Sequence, residues 1–212
     1  MMSNTGENQA QAEKIKGYYR FQSGIYDLTR WSFLFGRSAI LKALPFAYEE
    51  PFHLLEVGCG TGRNLALAAK LFPEAKLTGM DVSADMLALA SKRTKHQKRT
   101  ILLEQPYESQ YYSWTNKLDV ILFSYSLTMI NPQWRSLIAQ AYKDLRPGGI
   151  IAVVDFHDSQ VPAFKNHMAN HHVRMDGHLL PELEAHFYSE YQEVKTAYRG
   201  LWQYVLYVGR KV

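Results

Sequence analysis

The most informative stretch of the chain is FHLLEVGCGTGRNLALAAKLFP, residues 52–73. An apolar run ends at Glu56, glycines follow at positions 58, 60 and 62, and an amphipathic run begins after Arg63. This order predicts a buried strand, a tight turn and a helix. Because glycine leaves the backbone N–H groups uncovered, the turn is typical of one that lies against a ligand.

The rest of the chain continues the alternation of short apolar runs with amphipathic ones. FHLLEV, AKLTGM, ILL, LDVILF and GIIAVVDF are the strand candidates, and a helix is predicted from Asn131 to Leu145, capped by Asn131 and stopped at Pro147-Gly148-Gly149. Such alternation predicts an α/β fold, a Rossmann-like parallel sheet with helices on both faces.

Three further segments complete the predicted architecture. Aromatic residues at helical spacing indicate a helical N-terminal cap over residues 1–50, followed by one α/β domain over residues 51–212. The tail, residues 191–209, reads as two β-rich runs broken near Arg199-Gly200, which predicts a closing hairpin with an antiparallel strand. The His-rich segment 158–183 is expected to lie over the carboxyl ends of the strands.

Composition restricts the class of protein. The 212 residues include 47% hydrophobic and 21% charged residues, which is ordinary for a globular domain, and the net charge of +4 mildly favours anionic surfaces. A single cysteine, Cys59, excludes an intramolecular disulfide. No apolar run approaches the roughly 20 residues needed to span a bilayer, and the polar opening lacks a secretion signal. We therefore expect a cytoplasmic protein whose membrane contact, if any, is peripheral.

The ligand of the glycine turn is predicted from charge. A dinucleotide fingerprint would need a glycine where Arg63 stands, and no Gly-Lys-Ser/Thr phosphate loop is present. Glu56 before the turn and Asp81 after the next strand would repel a pyrophosphate. S-adenosylmethionine carries a sulfonium, an ammonium and two ribose hydroxyls, so Asp81 fits the hydroxyls and Glu56 fits the cationic methionine end.

The segment EVGCGTG, together with Asp81, LDVILFSYS and LRPGG, resembles the class I S-adenosylmethionine-dependent methyltransferases, from about Phe52 to Phe156. The resemblance implies a seven-stranded sheet whose last strand is antiparallel. It also implies a cofactor site formed by Tyr26, Glu56, Gly58, Cys59, Gly60, Gly62, Asp81, Val82, Met86, Gln105, Pro106, Tyr107 and Ser124. The family usually has an acidic residue near the adenine after the third strand. Here the chain reads LLEQPYES, which leaves Glu104, Gln105 and Tyr107 as alternatives.

Three other segments, YDLTRWSFLFGR, LFSYSLTMI and HHVRMDGHLLPEL, are similar to the bacterial N-methyltransferases that convert diacylglyceryl homoserine to its trimethyl betaine lipid. This resemblance implies successive methylation of a lipid amine at an anionic membrane surface. Arg30, Arg37 and Arg174 are the candidates to pair with the homoserine carboxylate. Phosphatidylethanolamine N-methyltransferases are related alternatives.

Aromatic side chains suit an amine acceptor, because cation–π contact holds a quaternary ammonium product. Tyr19, Tyr26 and Tyr125 are expected at the mouth of the cofactor site, and Tyr19, Tyr125 and His157 are the predicted catalytic residues. His157 either accepts the proton of the amine or lines the pocket.

Competing interpretations concern metal, nucleic acid and a role without catalysis. A histidine-rich group, with His167, His171 and His172 after Asp155 and His157, could suggest a metal-dependent O-methyltransferase, but no metal is predicted. The basic run 92–99 fits a solvated helix end. After the fourth strand, where nucleic-acid amino-methyltransferases carry their motif, this chain has Ser124-Tyr125-Ser126-Leu127. For both reasons no nucleic-acid partner is expected. A small soluble acceptor and a non-catalytic cofactor-binding module stay open, as does the oligomeric state.

Overall fold

A seven-stranded sheet forms the centre of the computed structural model, which describes residues 34–108, 114–130, 132–171 and 173–212. The strands are β1 (His53–Val57), β2 (Lys76–Asp81), β3 (Thr100–Glu104), β4 (Leu118–Ser124), β5 (Leu145–Phe156), β6 (Tyr188–Ala197) and β7 (Trp202–Arg210). Their order is β3-β2-β1-β4-β5-β7-β6, and β7 is antiparallel to both of its neighbours. The predicted sheet with an antiparallel last strand is confirmed.

Helices cover both faces of this sheet, as the alternation of runs predicts. In the described parts of the chain they are α1 (Arg37–Lys42), α2 (Arg63–Leu71), α3 (Ala84–Thr94), α4 (Trp134–Asp144), α5 (Pro162–Asn170) and α6 (Leu179–His186). Successive residues of β1 enter opposite cores: Leu54 packs with α1 and α2, and Leu55 packs in the cluster that contains α4 and α6. The strands are therefore buried on both faces, which explains their continuous apolar runs.

The helix predicted from Asn131 to Leu145 is shorter in the structure. It begins at Trp134 and ends at Asp144, and Gln133 at its N-cap position makes no side-chain capping bond; Asn131 lies outside the described residues. Leu145 already belongs to β5, where it pairs with Leu118. The register then shifts to Val120 and Ile150, so the Pro-Gly-Gly segment forms an irregular part of the strand.

The segment predicted as an insertion over the strand ends contains two helices with different roles. Helix α5 has no buried residue. Helix α6 buries Leu179 and Leu183 in the second core, so it is the crossover helix from β5 to β6. The end of the segment is therefore part of the sheet architecture.

The predicted C-terminal hairpin lies within the described residues, whereas most of the predicted N-terminal cap does not. The C-terminal hairpin of β6 and β7 turns at Tyr198–Gly200, as expected. Residues 1–33, most of the predicted cap, lie outside the described residues, so Tyr19, Tyr26 and Arg30 have no described position. None of the helices in the described ranges is long and apolar enough to cross a bilayer.

Candidate active site

The glycine turn lies at the carboxyl end of β1 and is held by backbone bonds to β2. The N–H groups of Gly58 and Cys59 both donate to Met80 O, at 2.8 and 3.0 Å, and Gly62 N donates to Cys59 O at 3.0 Å. The φ angles of Gly58, Gly60 and Gly62 are 71°, 52° and 70°, in the left-handed region that glycine adopts without strain.

The three glycines have different neighbours. A Cβ at Gly58 would lie 3.0 Å from Ser126 Cβ, and one at Gly62 would lie 2.9 Å from Ala90 Cβ, so both positions exclude a side chain because of packing within the protein. A Cβ at Gly60 would meet no atom of the described residues within 4 Å. Gly60 therefore lines open space at the mouth of the turn.

Asp81 closes β2 beside this space. Its Oδ2 accepts from Gly60 N at 2.8 Å, and its Oδ1 accepts from Ser83 N at 3.0 Å. A carboxylate at this place is a strong acceptor for hydroxyl groups of a ligand. Ser83 caps α3 through Met86 N, which places the half-buried Val82 and the buried Met86 next to Asp81.

Glu56 lies beneath the turn with buried acceptor oxygens. Its Oε1 accepts from Asn64 Nδ2 at 2.7 Å, whereas Glu56 Oε2 and Asn64 Oδ1 have no hydrogen-bond partner in the described structure. Burial raises the pKa of Glu56 to about 8, opposed by the Asn64 bond and by the charge of Arg37. Buried acceptors of this kind favour a ligand that carries a positive charge and N–H donors.

The carboxyl end of β4 supplies more buried hydroxyl groups. Ser124 and Ser126 are buried, and their Oγ atoms have no partner among the described residues. Tyr125 between them has φ 56°, packs its ring on Phe156 with centroids 4.8 Å apart, and donates its hydroxyl to Phe35 O at 2.8 Å. Burial raises the pKa of Tyr125, so its hydroxyl is a hydrogen-bond donor that ties β4 to the segment before α1.

Asp155 holds the loop after β4, a role that the sequence did not suggest. Its Oδ2 accepts from Leu127 N at 2.9 Å and from Thr128 N at 3.3 Å, and its Oδ1 accepts from Phe156 N at 2.8 Å and from the Thr128 hydroxyl. Burial raises its pKa to about 6, and these hydrogen bonds oppose the rise. The only signal in the sequence was a carboxylate within the apolar strand GIIAVVDF.

His157 follows β5 at the same edge of the sheet. Its ring lies against Gly177, and its Nδ1 is buried without a partner in the described part of the chain. Burial lowers the pKa of His157, and Asp158 opposes this shift. The imidazole is therefore neutral near pH 7 and has a nitrogen that can accept a proton.

Two of the three arginines predicted to bind the acceptor, Arg37 and Arg174, lie within the described residues, and their surroundings differ. Arg37 is half-buried, and its charge lowers the pKa of both Glu56 and Tyr125, which places it at the cofactor end of the site. Arg174 donates its backbone N–H to Thr128 O at 3.0 Å, and its guanidinium pairs with Asp176 at 2.8 Å. Arg174 thus lies beside the loop after β4.

The end of β3 distinguishes the three adenine candidates. Gln105 N donates to Asp81 O at 3.0 Å, so Gln105 and the following Pro106 lie next to the acidic residue of β2. Tyr107 is buried, and its hydroxyl donates to Asp144 at 2.8 Å. Glu104 is exposed. The geometry favours Gln105 and gives Tyr107 a position in the core.

Arg93 is a second residue whose position the sequence did not reveal. It was predicted only as part of a basic helix end, but its guanidinium donates to Thr61 O at 2.6 Å and to the Thr61 hydroxyl. The last turn of α3 thereby braces the glycine turn. Cys59 in that turn is buried, and burial raises the pKa of its thiol, which fits a packing role.

Among the described residues, the histidines at the end of α5 do not form a metal-binding group with other side chains. The rings of His167 and His171 lie 4.7 Å apart on an exposed helix, and His172 falls outside the described residues. Within the described ranges, no group of three or more His, Cys, Asp or Glu side chains is arranged to hold a metal ion.

Comparison with known proteins agrees with this geometry. Residues 54–149 match the model of a methyltransferase domain. The chain is 33% identical over 123 residues to a trans-aconitate 2-methyltransferase of Deinococcus radiodurans, covering 58% of this chain and 43% of the relative. It is 28% identical over 127 residues to a carboxy-S-adenosyl-L-methionine synthase of Trichodesmium erythraeum, covering 59% and 50%. The chain thus spans about half the length of these curated relatives, or less.

Solved structures share the fold at low sequence identity. The 1,6-didemethyltoxoflavin-N1-methyltransferase of Burkholderia thailandensis, solved with S-adenosylhomocysteine, superposes with a TM-score of 0.68 at 18% identity, covering 100% of this chain and 92% of the other. The N-methyltransferase NodS of Bradyrhizobium japonicum gives 0.67 at 21% identity, with 82% and 85% covered.

Proposed function

We propose that this chain, whose residues 54–149 are a class I, S-adenosylmethionine-dependent methyltransferase domain, methylates the nitrogen of a lipid amine. The acceptor that fits best is diacylglyceryl homoserine, converted in steps to its N-trimethyl betaine lipid. Phosphatidylethanolamine and small soluble amines are the alternatives.

The observation that carries the cofactor assignment is a pair of buried oxygens, Glu56 Oε2 and Asn64 Oδ1, that have no hydrogen-bond partner among the described residues. An ammonium group would donate to both and would compensate the buried charge of Glu56. Arg37 lies close enough to affect the pKa of Glu56, and we assign it to the carboxylate of the same amino-acid group. This leaves Arg174, and Arg30 in the residues not described, for the carboxylate of the acceptor.

The other end of the cofactor fits the residues after β2 and β3. Asp81, the carboxylate that accepts from Gly60 N, is our candidate to accept from the two ribose hydroxyls, and Gly60 lets the ligand approach the backbone closely. Gln105 and Pro106 lie beside Asp81 and are our candidates to contact the adenine. The space over Gly60 therefore has Asp81 on the side proposed for the ribose and Glu56 on the side proposed for the ammonium.

When bound, S-adenosylmethionine would supply its sulfonium methyl carbon to the lone pair of an acceptor nitrogen in line with the carbon–sulfur bond, and the neutral thioether would be the leaving group. The residues of this chain have to present the amine with its lone pair free and to exclude water. His157, whose pKa burial lowers and whose buried Nδ1 has no partner among the described residues, is proposed to take the proton of the acceptor ammonium. Tyr125, with Tyr19 and Tyr26, is proposed to supply aromatic walls for the cationic product.

The lipid acceptor is supported by the segments that resemble betaine-lipid methyltransferases, two of which meet in the structure. LFSYSLTMI and HHVRMDGHLLPEL come together where Arg174 N donates to Thr128 O. The fold also accommodates amine acceptors in other proteins, since a phosphoethanolamine N-methyltransferase of Haemonchus contortus superposes with a TM-score of 0.66 at 18% identity. The trans-aconitate methyltransferase among the relatives favours a small soluble acceptor as the second candidate.

Lipid mass spectrometry tests the proposal. The chain is expressed in a host that makes diacylglyceryl homoserine and in one that does not, and Asp81→Ala serves as the variant without cofactor binding. We expect mass gains of one, two and three methyl groups on the homoserine lipid with the wild type only. Gains confined to phosphatidylethanolamine would replace the acceptor, and label from S-adenosylmethionine that enters only the soluble fraction would refute a lipid acceptor.

A further inference from the structure

The tip of the hairpin between β6 and β7 has an unusual backbone for its sequence. Tyr198, Arg199 and Gly200 have φ angles of 47°, 58° and 98°, and Leu201 N donates to Tyr198 O at 3.3 Å. Two central residues with positive φ define a turn that normally carries Asn-Gly. This chain places an aromatic and a basic side chain in the left-handed region, where neither is favoured. A local cost of this kind is often associated with function.

Exposed apolar side chains surround this tip. Phe35, Val161 and Tyr198 are 40%, 37% and 49% exposed. The rings of Phe35 and Tyr198 meet edge to face, with centroids 5.6 Å apart. Ser159 donates its hydroxyl to Leu201 O at 2.6 Å and accepts from Val161 N at 3.1 Å, which brings Val161 beside the tip. We call Phe35, Val161, Tyr198 and Arg199 the tip patch.

The tip patch lies at the same edge of the sheet as the candidate active site. Tyr204 of β7 pairs with Phe156 at the carboxyl end of β5, so the tip projects beyond that end. Phe35 O also accepts the hydroxyl of Tyr125, which follows β4. A surface that rests on the tip patch would therefore face the mouth of the site.

The charge of the patch comes from Arg199. It is exposed and forms no ion pair with another described residue, whereas the nearby Lys195 and Lys165 are paired with Glu193 and Asp158. Tyrosine and arginine side chains are suited to the head-group level of a bilayer, because each has an apolar body and a polar end. Anionic lipid adds attraction to the cation.

We propose that the tip patch is the surface by which this protein docks on an anionic lipid bilayer. The inference rests on the proposed function to the extent that a lipid acceptor has to be reached at a membrane surface.

Vesicle binding by the full chain tests the docking surface. The substitutions Tyr198→Asn and Arg199→Asn remove the aromatic and basic groups, and asparagine suits a left-handed backbone, so the double variant should still fold although it loses the ring contact of Tyr198 with Phe35. On vesicles with about one third phosphatidylglycerol in phosphatidylcholine, we expect affinity to fall about fivefold for the single Arg199→Asn variant and further for the double variant. The control variant Tyr188→Asn with Arg99→Asn changes an exposed tyrosine and an exposed arginine away from the tip, and it should bind more tightly than the double tip variant.

The possible results separate the two proposals. Vesicle affinity that is equal in the wild type and the double tip variant, or a wild type that does not bind anionic vesicles, would overturn the docking surface. Self-association that disappears in the double variant would also overturn it, in favour of a contact between two copies. Tip-dependent vesicle binding without methylation of any lipid would support docking and refute the lipid acceptor.

Discussion

Glu56 allows the candidate cofactor site to be tested through the pH dependence of ligand affinity. Its pKa of about 8 means that the carboxyl group is largely protonated at neutral pH in the free protein. An ammonium that pairs with Oε2 requires the ionised form, so ligand binding should release one proton. The observed dissociation constant for S-adenosylhomocysteine should then increase about tenfold for each pH unit below about 8.

Isothermal titration calorimetry between about pH 6 and pH 8 measures this effect directly. Titration in two buffers with different heats of ionisation gives the number of protons released, expected to approach one near the lower pH. In Glu56→Gln the dissociation constant should be independent of pH. The matched control is Asp144→Asn, which removes another carboxyl whose pKa burial raises but which bonds to Tyr107 in the core. A pH-independent wild type, or a slope that survives in Glu56→Gln, would refute the assignment.

The same carboxyl group should make the free protein less stable as the pH rises. The folded pKa of about 8 lies above the ordinary value of 4.5, so the folded state binds more protons and the free energy of unfolding falls between these pH values. At 1.36 kcal/mol per pKa unit, the loss is at most roughly 5 kcal/mol. Chemical denaturation should therefore show that Glu56→Gln gains stability over the wild type as the pH is raised.

Three further predictions concern neighbouring parts of the site. Gly60→Ala should weaken S-adenosylhomocysteine binding by about tenfold or more, because its methyl group enters the ligand space. Gly200→Ala, also at positive φ with no described atom within 4 Å, should lose stability but keep its affinity. Equal affinities of the two variants in calorimetry would contradict this. Asp155→Asn should lower the free energy of unfolding by about 2 to 4 kcal/mol in urea titrations, because backbone donors of the loop lose an acceptor, and an unchanged midpoint would refute that role. Tyr107→Phe should cost about 1 to 2 kcal/mol of stability and leave ligand affinity within about twofold; a large loss of affinity would return Tyr107 to the adenine site.

The sheet could be predicted from the sequence because its signals are local. Each strand is buried on both faces and therefore appears as an apolar run in the sequence. The three glycines after β1 indicate the turn from strand to helix that lies against the ligand. The predicted fold is confirmed, because solved methyltransferases superpose on the chain, and residues 54–149 match a methyltransferase domain, as the resemblance to that family implies. The boundary of α4 was wrong at its C-terminal end, because Leu145 pairs with Leu118 across the sheet and no local pattern encodes that pairing.

Side-chain roles were less predictable because they depend on contacts between distant segments. Arg93 bonds to Thr61, 32 positions away, and Tyr107 bonds to Asp144, 37 positions away. In both cases the sequence showed the residue but not its partner. Asp155 was considered only as a metal ligand, although its four hydrogen bonds fix the loop after β4.

The position of β7 has a consequence for synthesis on the ribosome. In the described sheet, β6 is hydrogen-bonded to β7 and to no other strand, yet β6 leaves the ribosome first. Until residues 202–210 emerge, β6 has no strand to pair with and the edge of β5 stays open. The nascent chain therefore passes through a stage with unpaired strand edges, at which a chaperone that shields extended segments would favour productive folding.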